Sequence, residues 1–138
     1  MPSTDDLPLF DLAALRHLAR AATVLPACQA CQPLDKPGWE SLPQPDDASH
    51  LQRCGSLRAD LFTEPTLAEY HPAGTRYWSA DAPIAPAWFP YNRCELWQCP
   101  HCAHAFLRYT EYGGYYQEAR IRPLQGGLLI DAPDPVDD

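Results

Sequence analysis

The chain has 138 residues, of which 46% are hydrophobic, so it is long enough for one domain with a buried core. Its 10 basic and 18 acidic residues give a formal net charge of -8. That charge disfavours nucleic acid as a partner, because such surfaces depend on lysine and arginine to neutralise phosphates. The sequence has no apolar run long enough to span a bilayer, and it does not show the pattern of a signal peptide. We therefore expect no membrane partner and a reducing cytoplasmic location, where cysteine pairs bind metal more often than they form disulfides.

An amphipathic helix is predicted over residues 5–23. Its apolar residues recur at helical spacing and would form one stripe: Leu12, Leu15, Leu18, Ala19 and Ala22. Asp5 or Asp6 is expected to cap the helix, and Pro8 is tolerated in the first turn. The predicted helix leads directly into Cys28.

Residues 32–90 are predicted to be a proline-rich, mostly irregular insertion. The chain has 16 prolines, which is more than twice the usual ~5%, and many of them lie here. Within this insertion, leucines on one side predict a short helix over His50–Phe62. The run Thr75–Trp78 is expected to form a short strand.

Residues 92–124 are predicted to form a strand followed by a β-hairpin. Two alternating, aromatic-rich runs, AFLRYTEY and YYQEARIRPL, flank the pair Gly113–Gly114, which is typical of a tight hairpin turn. We expect Thr110–Tyr112 to face Tyr115–Gln117. The following run, GGLLID, could add an edge strand, and residues 131–138 are predicted to be an acidic tail. The expected fold is therefore α+β, with an N-terminal helix and an antiparallel sheet of about three strands.

Two C-x-x-C pairs, Cys28/Cys31 and Cys99/Cys102, are the most specific feature of the sequence. Each short spacer can direct two sulfurs at one ion, and two pairs supply the four sulfurs that suit Zn²⁺. Four cysteine ligands would leave no open position for a substrate, which favours a structural role over catalysis.

The second pair, within Cys99-Pro100-His101-Cys102, resembles the C-P-x-C-G knuckle of zinc ribbon and rubredoxin-like proteins. The resemblance covers residues 28–31 and 92–122 and implies a structural zinc site between the helix and the hairpin. Ala103 stands where the family usually has glycine, and the separation between the two pairs is unusually long. Iron in the same four-sulfur site is the less favoured alternative, because the ligands alone do not separate the two metals.

The other cysteines and the histidines near the knuckle have less specific roles. Cys54 and Cys94 are expected to pack in the core, although a redox-labile pair and replacement ligands are alternatives. His104 could replace a sulfur ligand, whereas His101 is expected to point to solvent.

The predicted function is binding of another protein, because the sequence carries no recognisable catalytic motif. Tyrosine and arginine are enriched in binding hot spots. A candidate patch at the hairpin combines both residue types: Arg108, Tyr112, Tyr115, Tyr116 and Arg120. The alternatives are a nucleic-acid-binding zinc ribbon and a thiol-redox or rubredoxin-like electron-transfer protein.

Overall fold

The computed structural model describes residues 7–22, 25–42, 44–58, 65–72, 74–112, 115 and 117–133. These residues form one α-helix, α1 (Leu12–Ala22), and five strands: β1 (Glu40–Ser41), β2 (Gln52–Ser56), β3 (Glu95–Gln98), β4 (Ala105–Tyr112) and β5 (Gln117–Pro123). The strands pair antiparallel in the order β1-β5-β4-β3-β2. The α+β class is therefore confirmed, and the sheet has five described strands rather than about three.

The helix begins later than the sequence indicated. Asp11 caps it, since the Asp11 Oδ1 atom accepts a hydrogen bond from the backbone N–H of Ala14 at 2.8 Å. The residues before the cap pair with β2 instead: the Phe10 N–H donates to the Ser56 carbonyl, and the Ser56 N–H donates to the Pro8 carbonyl, both at 2.9 Å. Because this pairing uses backbone groups that a longer helix would need, the prediction of helix from residue 5 is wrong for residues 7–11.

The predicted apolar stripe of α1 is confirmed. Leu15, Ala19 and Ala22 are buried, and Leu12 and Leu18 pack at the edge of the same core. This stripe faces β4 and the turn after β5. The helix therefore covers one face of the sheet.

The helix predicted over His50–Phe62 is wrong where the structure describes it, because residues Gln52–Ser56 form strand β2. Strand β2 pairs antiparallel with β3, with an irregularity between Arg53 and Gly55. A Cβ atom at Gly55 would lie 2.4 Å from Cδ1 of Phe10. The absence of a side chain thus lets the N-terminal segment approach β2 closely.

Two further strand predictions need correction. Thr75–Trp78 lies in turns, since the Thr75 N–H donates to the Pro72 carbonyl and the Ser79 N–H donates to that of Arg76. The run GGLLID contains a 3-10 turn over Gly126–Leu128, and only its next residue, Leu129, makes an isolated bridge, to Ile84. The backbone groups of residues 75–79 are thus used in local turns, and those of Leu128 and Ile130 bond to the single residue Ile84, so neither run pairs along a strand.

The predicted hairpin strands are confirmed as β4 and β5, but their register differs from the prediction. Tyr112 lies opposite Gln117, so the connection spans residues 113–116 rather than two glycines. Gly113, Gly114 and Tyr116 lie outside the described residues. The expected pairing of Thr110–Tyr112 with Tyr115–Gln117 is therefore displaced.

Alternation along β4 divides the core into two parts. Leu107 and Tyr109 lie on the inner face, which packs against α1, Trp39 and Tyr91. Phe106 lies on the outer face and packs in a second cluster, the outer core cluster, with Cys31, Cys99 and Cys102, and with Leu34, Leu51 and Ile121. Because this second cluster is built around cysteines, the sheet itself positions the candidate metal ligands.

Arg122 is buried completely beneath the inner face. Its guanidinium donates hydrogen bonds to the Tyr91 hydroxyl, the Ala82 carbonyl and the Gln125 amide oxygen. Burial lowers the pKa of Arg122, and the neighbouring Tyr91 hydroxyl opposes that shift. These bonds fasten the irregular chain around residues 82–91 to strand β5.

Candidate metal centre

The four predicted cysteine ligands lie in two compact turns. In the first, which follows α1, the N–H groups of Cys31 and Gln32 both donate to the Cys28 carbonyl at 3.0 Å. In the second, between β3 and β4, the Ala103 N–H donates to the Cys99 carbonyl at 2.9 Å. Each turn brings its two thiols to the same side of the backbone, as the C-x-x-C spacing predicted.

The structure brings all four sulfurs together. The Sγ atoms of Cys28, Cys31, Cys99 and Cys102 lie within 4.8 Å of one another. The Cys28–Cys99 sulfurs are 3.8 Å apart, and the Cys31–Cys102 sulfurs are 3.7 Å apart. A tetrahedral ion with metal–sulfur bonds of about 2.3 Å holds its ligands about 3.8 Å apart. A disulfide would instead need about 2.05 Å. The spacing therefore fits a four-thiolate metal site.

The site is closed to solvent on most sides. Cys31, Cys99 and Cys102 are buried, and Cys28 is partly exposed. A closed set of four sulfurs has no vacant ligand position at which water or a substrate could react. This arrangement can hold a metal ion, and it offers no evident route for metal-centred catalysis.

The thiols differ in acidity. A backbone hydrogen bond from Cys31 lowers the pKa of Cys28 to about 7, with smaller contributions from the other cysteines. Burial raises the pKa of Cys31, and contacts with the neighbouring thiols raise it further. Metal binding requires thiolates, so an ion in this site would displace the proton that burial otherwise retains on Cys31.

Two nitrogen atoms outside the set of four cysteines approach the sulfurs. His50 Nε2 lies 3.2 Å from Cys31 Sγ, and the His101 backbone N–H donates to Cys99 Sγ at 3.4 Å. A metal-bound thiolate can only accept hydrogen bonds, so His50 would carry its proton on Nε2. Sequence analysis missed His50, because nothing local in the proline-rich insertion indicates that it reaches Cys31.

The knuckle turn contains an alanine with left-handed backbone geometry. Ala103 has φ of 66°, where glycine is usual. This is the position at which the sequence departs from the zinc ribbon pattern. The Gln98 side chain donates to the Ala103 carbonyl at 3.0 Å and helps to hold the turn.

The remaining cysteines and His104 lie outside the ligand set. Cys94 is fully buried and donates to the Pro90 carbonyl at 3.2 Å, and burial raises the pKa of its thiol well above the usual value. Cys54 is partly buried and contacts the Leu96 carbonyl at 3.5 Å. His104 Nε2 contacts the Leu25 carbonyl at 2.7 Å, so this ring engages backbone and not the metal centre. His101 is exposed, as expected.

The structure separates the residues of the predicted partner patch. Tyr112 and Tyr115 are exposed at the end of the hairpin, and Tyr116 lies outside the described residues. Arg108 pairs with Ile121 across the sheet and therefore lies on the outer face. Arg120 pairs with Tyr109 on the inner face, so it does not share a surface with Arg108.

Arg120 has partners of its own within the fold. Its guanidinium donates to the hydroxyls of Tyr77 and Tyr109 at 3.1 and 3.2 Å, and it also pairs with Glu118. The same group lies over the ring of Trp78 at 4.7 Å. These contacts indicate a structural role for Arg120 in fastening the turn that contains Tyr77 to β5.

Comparison of the chain with known protein families, curated proteins and solved structures finds no match. The resemblance to zinc ribbons therefore rests on the residues of the knuckle and the hairpin that follows it. Within the described part of the chain, no helix has the length and apolar character needed to cross a bilayer.

Proposed function

We propose that the chain is a non-catalytic protein-binding module whose fold is stabilised by one structural zinc ion. The convergence of four sulfurs within 4.8 Å of one another, from two segments far apart in sequence, carries this proposal. Two of the sulfur pairs are 3.8 and 3.7 Å apart, which is the spacing of ligands on a tetrahedral zinc ion. Zinc in structural sites is almost always bound by four ligands in a tetrahedral arrangement, and four-cysteine sites in proteins are typically structural. Iron in the same four-sulfur site is the alternative, and metal analysis of the purified protein separates the two.

The position of the site supports a structural role. The ion would join the turn after α1 to the turn between β3 and β4, and Cys31 and Cys99 already lie in the outer core cluster. Structural zinc sites contribute ~10–16 kcal/mol of apparent binding free energy in finger peptides. Domains of this size have a net stability of only ~5–15 kcal/mol. Loss of the ion would therefore affect the whole fold.

The hairpin end supports a binding role. Tyr112 is 71% exposed and Tyr115 is fully exposed, although tyrosine usually buries much of its ring in a folded domain. Exposed tyrosines supply large, rigid contact surfaces and are enriched in interface hot spots. A protein partner suits this surface better than nucleic acid, because the chain has a formal net charge of -8.

Photo-crosslinking at the hairpin tests the proposal. We would place p-benzoylphenylalanine at Tyr115 and, as a matched control, at the exposed position Ala21 on α1. The crosslinking is done in cells of the organism that naturally produces the protein. We expect a discrete protein adduct from position 115 and not from position 21. Nucleic-acid adducts at position 115, or identical adducts from both positions, would contradict the proposal.

A further inference from the structure

The four cysteines of the candidate metal centre differ in their access to solvent. Three of them are no more than 3% exposed: Cys31, Cys99 and Cys102. Cys28 is partly exposed, and the two residues that follow it, Gln29 and Ala30, are exposed. A small oxidant dissolved in water would therefore meet the cluster of sulfurs first at Cys28.

Two close pairs of sulfurs connect the first C-x-x-C turn to the second. Cys28 Sγ is 3.8 Å from Cys99 Sγ, and Cys31 Sγ is 3.7 Å from Cys102 Sγ. Each pair would have to approach by about 1.7 Å to reach the ~2.05 Å of a disulfide bond. A disulfide in either pair would join the turn after α1 to the turn between β3 and β4.

Cys54 is also partly exposed, but it lies outside the cluster of four sulfurs. Its thiol donates to the Leu96 carbonyl at 3.5 Å, so it carries its proton. The thiolate, and not the thiol, is the nucleophile in cysteine chemistry. A bound metal keeps its sulfur ligands in the thiolate form. Exposure and thiolate character therefore coincide at Cys28 and not at Cys54.

We propose that Cys28 is a site of oxidation by hydrogen peroxide, and that Cys99 resolves the product to a disulfide. The Cys28 thiolate attacks one peroxide oxygen, so that an S–O bond forms, the O–O bond breaks and hydroxide leaves. The Cys99 thiolate then attacks the sulfur of this sulfenic acid, an S–S bond forms and a second hydroxide leaves. Two thiolates are thus oxidised by two electrons, and one peroxide is reduced.

This oxidation would release the metal and yet keep the two turns joined. Only Cys31 and Cys102 would remain as thiolates, and two sulfurs do not complete the shell of a structural zinc site. A second peroxide would join this pair by the same chemistry. Disulfides between the turns would replace the metal as the crosslink, so the oxidised chain should stay folded without zinc. The inference rests on the proposed zinc-stabilised fold.

Titration of the purified, zinc-loaded chain with hydrogen peroxide tests the inference. A chromophoric chelator reports zinc release, and dimedone traps sulfenic acid in early samples. Trypsin would leave Cys28 and Cys31 in residues 21–53, and Cys99 and Cys102 in residues 94–108. Mass spectrometry therefore distinguishes a disulfide between the two turns from a disulfide within one turn, and fragmentation identifies the cysteines that are joined.

We expect about tenfold more dimedone on Cys28 than on Cys54. Zinc release should keep pace with formation of the Cys28–Cys99 disulfide, and the circular dichroism spectrum should be retained. Dithiothreitol with added zinc should restore the starting protein. The matched control is Cys54→Ser, which removes the other partly exposed cysteine and should release zinc at the wild-type rate.

Earlier labelling of Cys54 or of a buried cysteine, a disulfide within either turn, or unfolding on oxidation would overturn the inference. A chain that retains its zinc in excess peroxide would refute oxidation at Cys28 and leave the structural zinc site standing. A purified chain without zinc would instead refute the proposed metal centre, and metal analysis shows this before any peroxide is added.

Discussion

Replacing Ala103 with glycine should stabilise the protein, although it removes a methyl group from a partly buried position. Ala103 has φ of 66°, and a residue with a Cβ atom pays roughly 1–2 kcal/mol in this left-handed region. Glycine avoids that strain but loses about 0.4–1 kcal/mol more backbone entropy on folding. Subtracting the midpoint of the entropy loss from the midpoint of the strain predicts a net gain of about 0.5–1 kcal/mol in the free energy of unfolding.

Thermal melting at a fixed excess of zinc measures this effect, since bound metal itself shifts the apparent stability. For a chain of this length, the expected rise in Tm is about 2–4 °C. The matched control is Ala30→Gly, in the first C-x-x-C turn, where φ is not positive and glycine should lower Tm. A fall in Tm for Ala103→Gly equal to that of Ala30→Gly would refute the reasoning about backbone strain at the knuckle.

Three further predictions concern the ligands, their surroundings and the inner core. Cys31→Ser should give a metal-poor, protease-sensitive protein, whereas Cys54→Ser should stay folded with metal bound. Thermal melting and metal analysis of the two variants side by side measure this, and native stability in both would contradict it. His50→Phe should weaken zinc binding by about 10–100-fold in competition with a chromophoric chelator, because it removes the ring nitrogen that lies 3.2 Å from Cys31 Sγ and would donate to a metal-bound thiolate. Burial raises the pKa of Tyr109 to about 12, above the ~10 of an unfolded tyrosine, so stability should fall as pH rises from about 10 to 12. Urea melts should show a smaller alkaline loss for Tyr109→Phe, and an equal loss would exclude this residue as a cause.

The cluster of four cysteines could be predicted because its signal is local. Each C-x-x-C pair specifies a turn that directs two sulfurs together, and the structure places all four in one group. The strands β4 and β5 were predictable for a similar reason. Successive side chains along each strand alternate between the two faces of the sheet, and each face packs against one of the two core clusters. The backbone geometry at Ala103 was not predicted, because an alanine there suggests a turn without positive φ, whereas the structure has φ of 66°.

The remaining elements depend on partners that are distant in sequence. Strand β2 has leucines on either side that suggest a helix, but it pairs with β3 and with the segment before α1. Helix α1 is capped by Asp11 rather than by an earlier aspartate, because the backbone groups of Pro8 and Phe10 are hydrogen-bonded to Ser56. Similarly, His50 lies beside Cys31 because the insertion packs into the outer core cluster through Leu34, Leu42 and Leu51. No local sequence pattern indicates these contacts, so secondary-structure propensity alone could not predict them.

We propose that four cysteines hold one structural zinc ion. X-ray absorption at the zinc edge, on purified protein with its metal content quantified, tests this claim most directly. We predict about one zinc per chain with a shell of four sulfurs at about 2.3 Å and no nitrogen or oxygen ligand. A folded, metal-free protein with all six of its cysteines titratable would contradict the account. So would iron as the bound metal, or a zinc shell in which histidine nitrogen replaces one of the sulfurs.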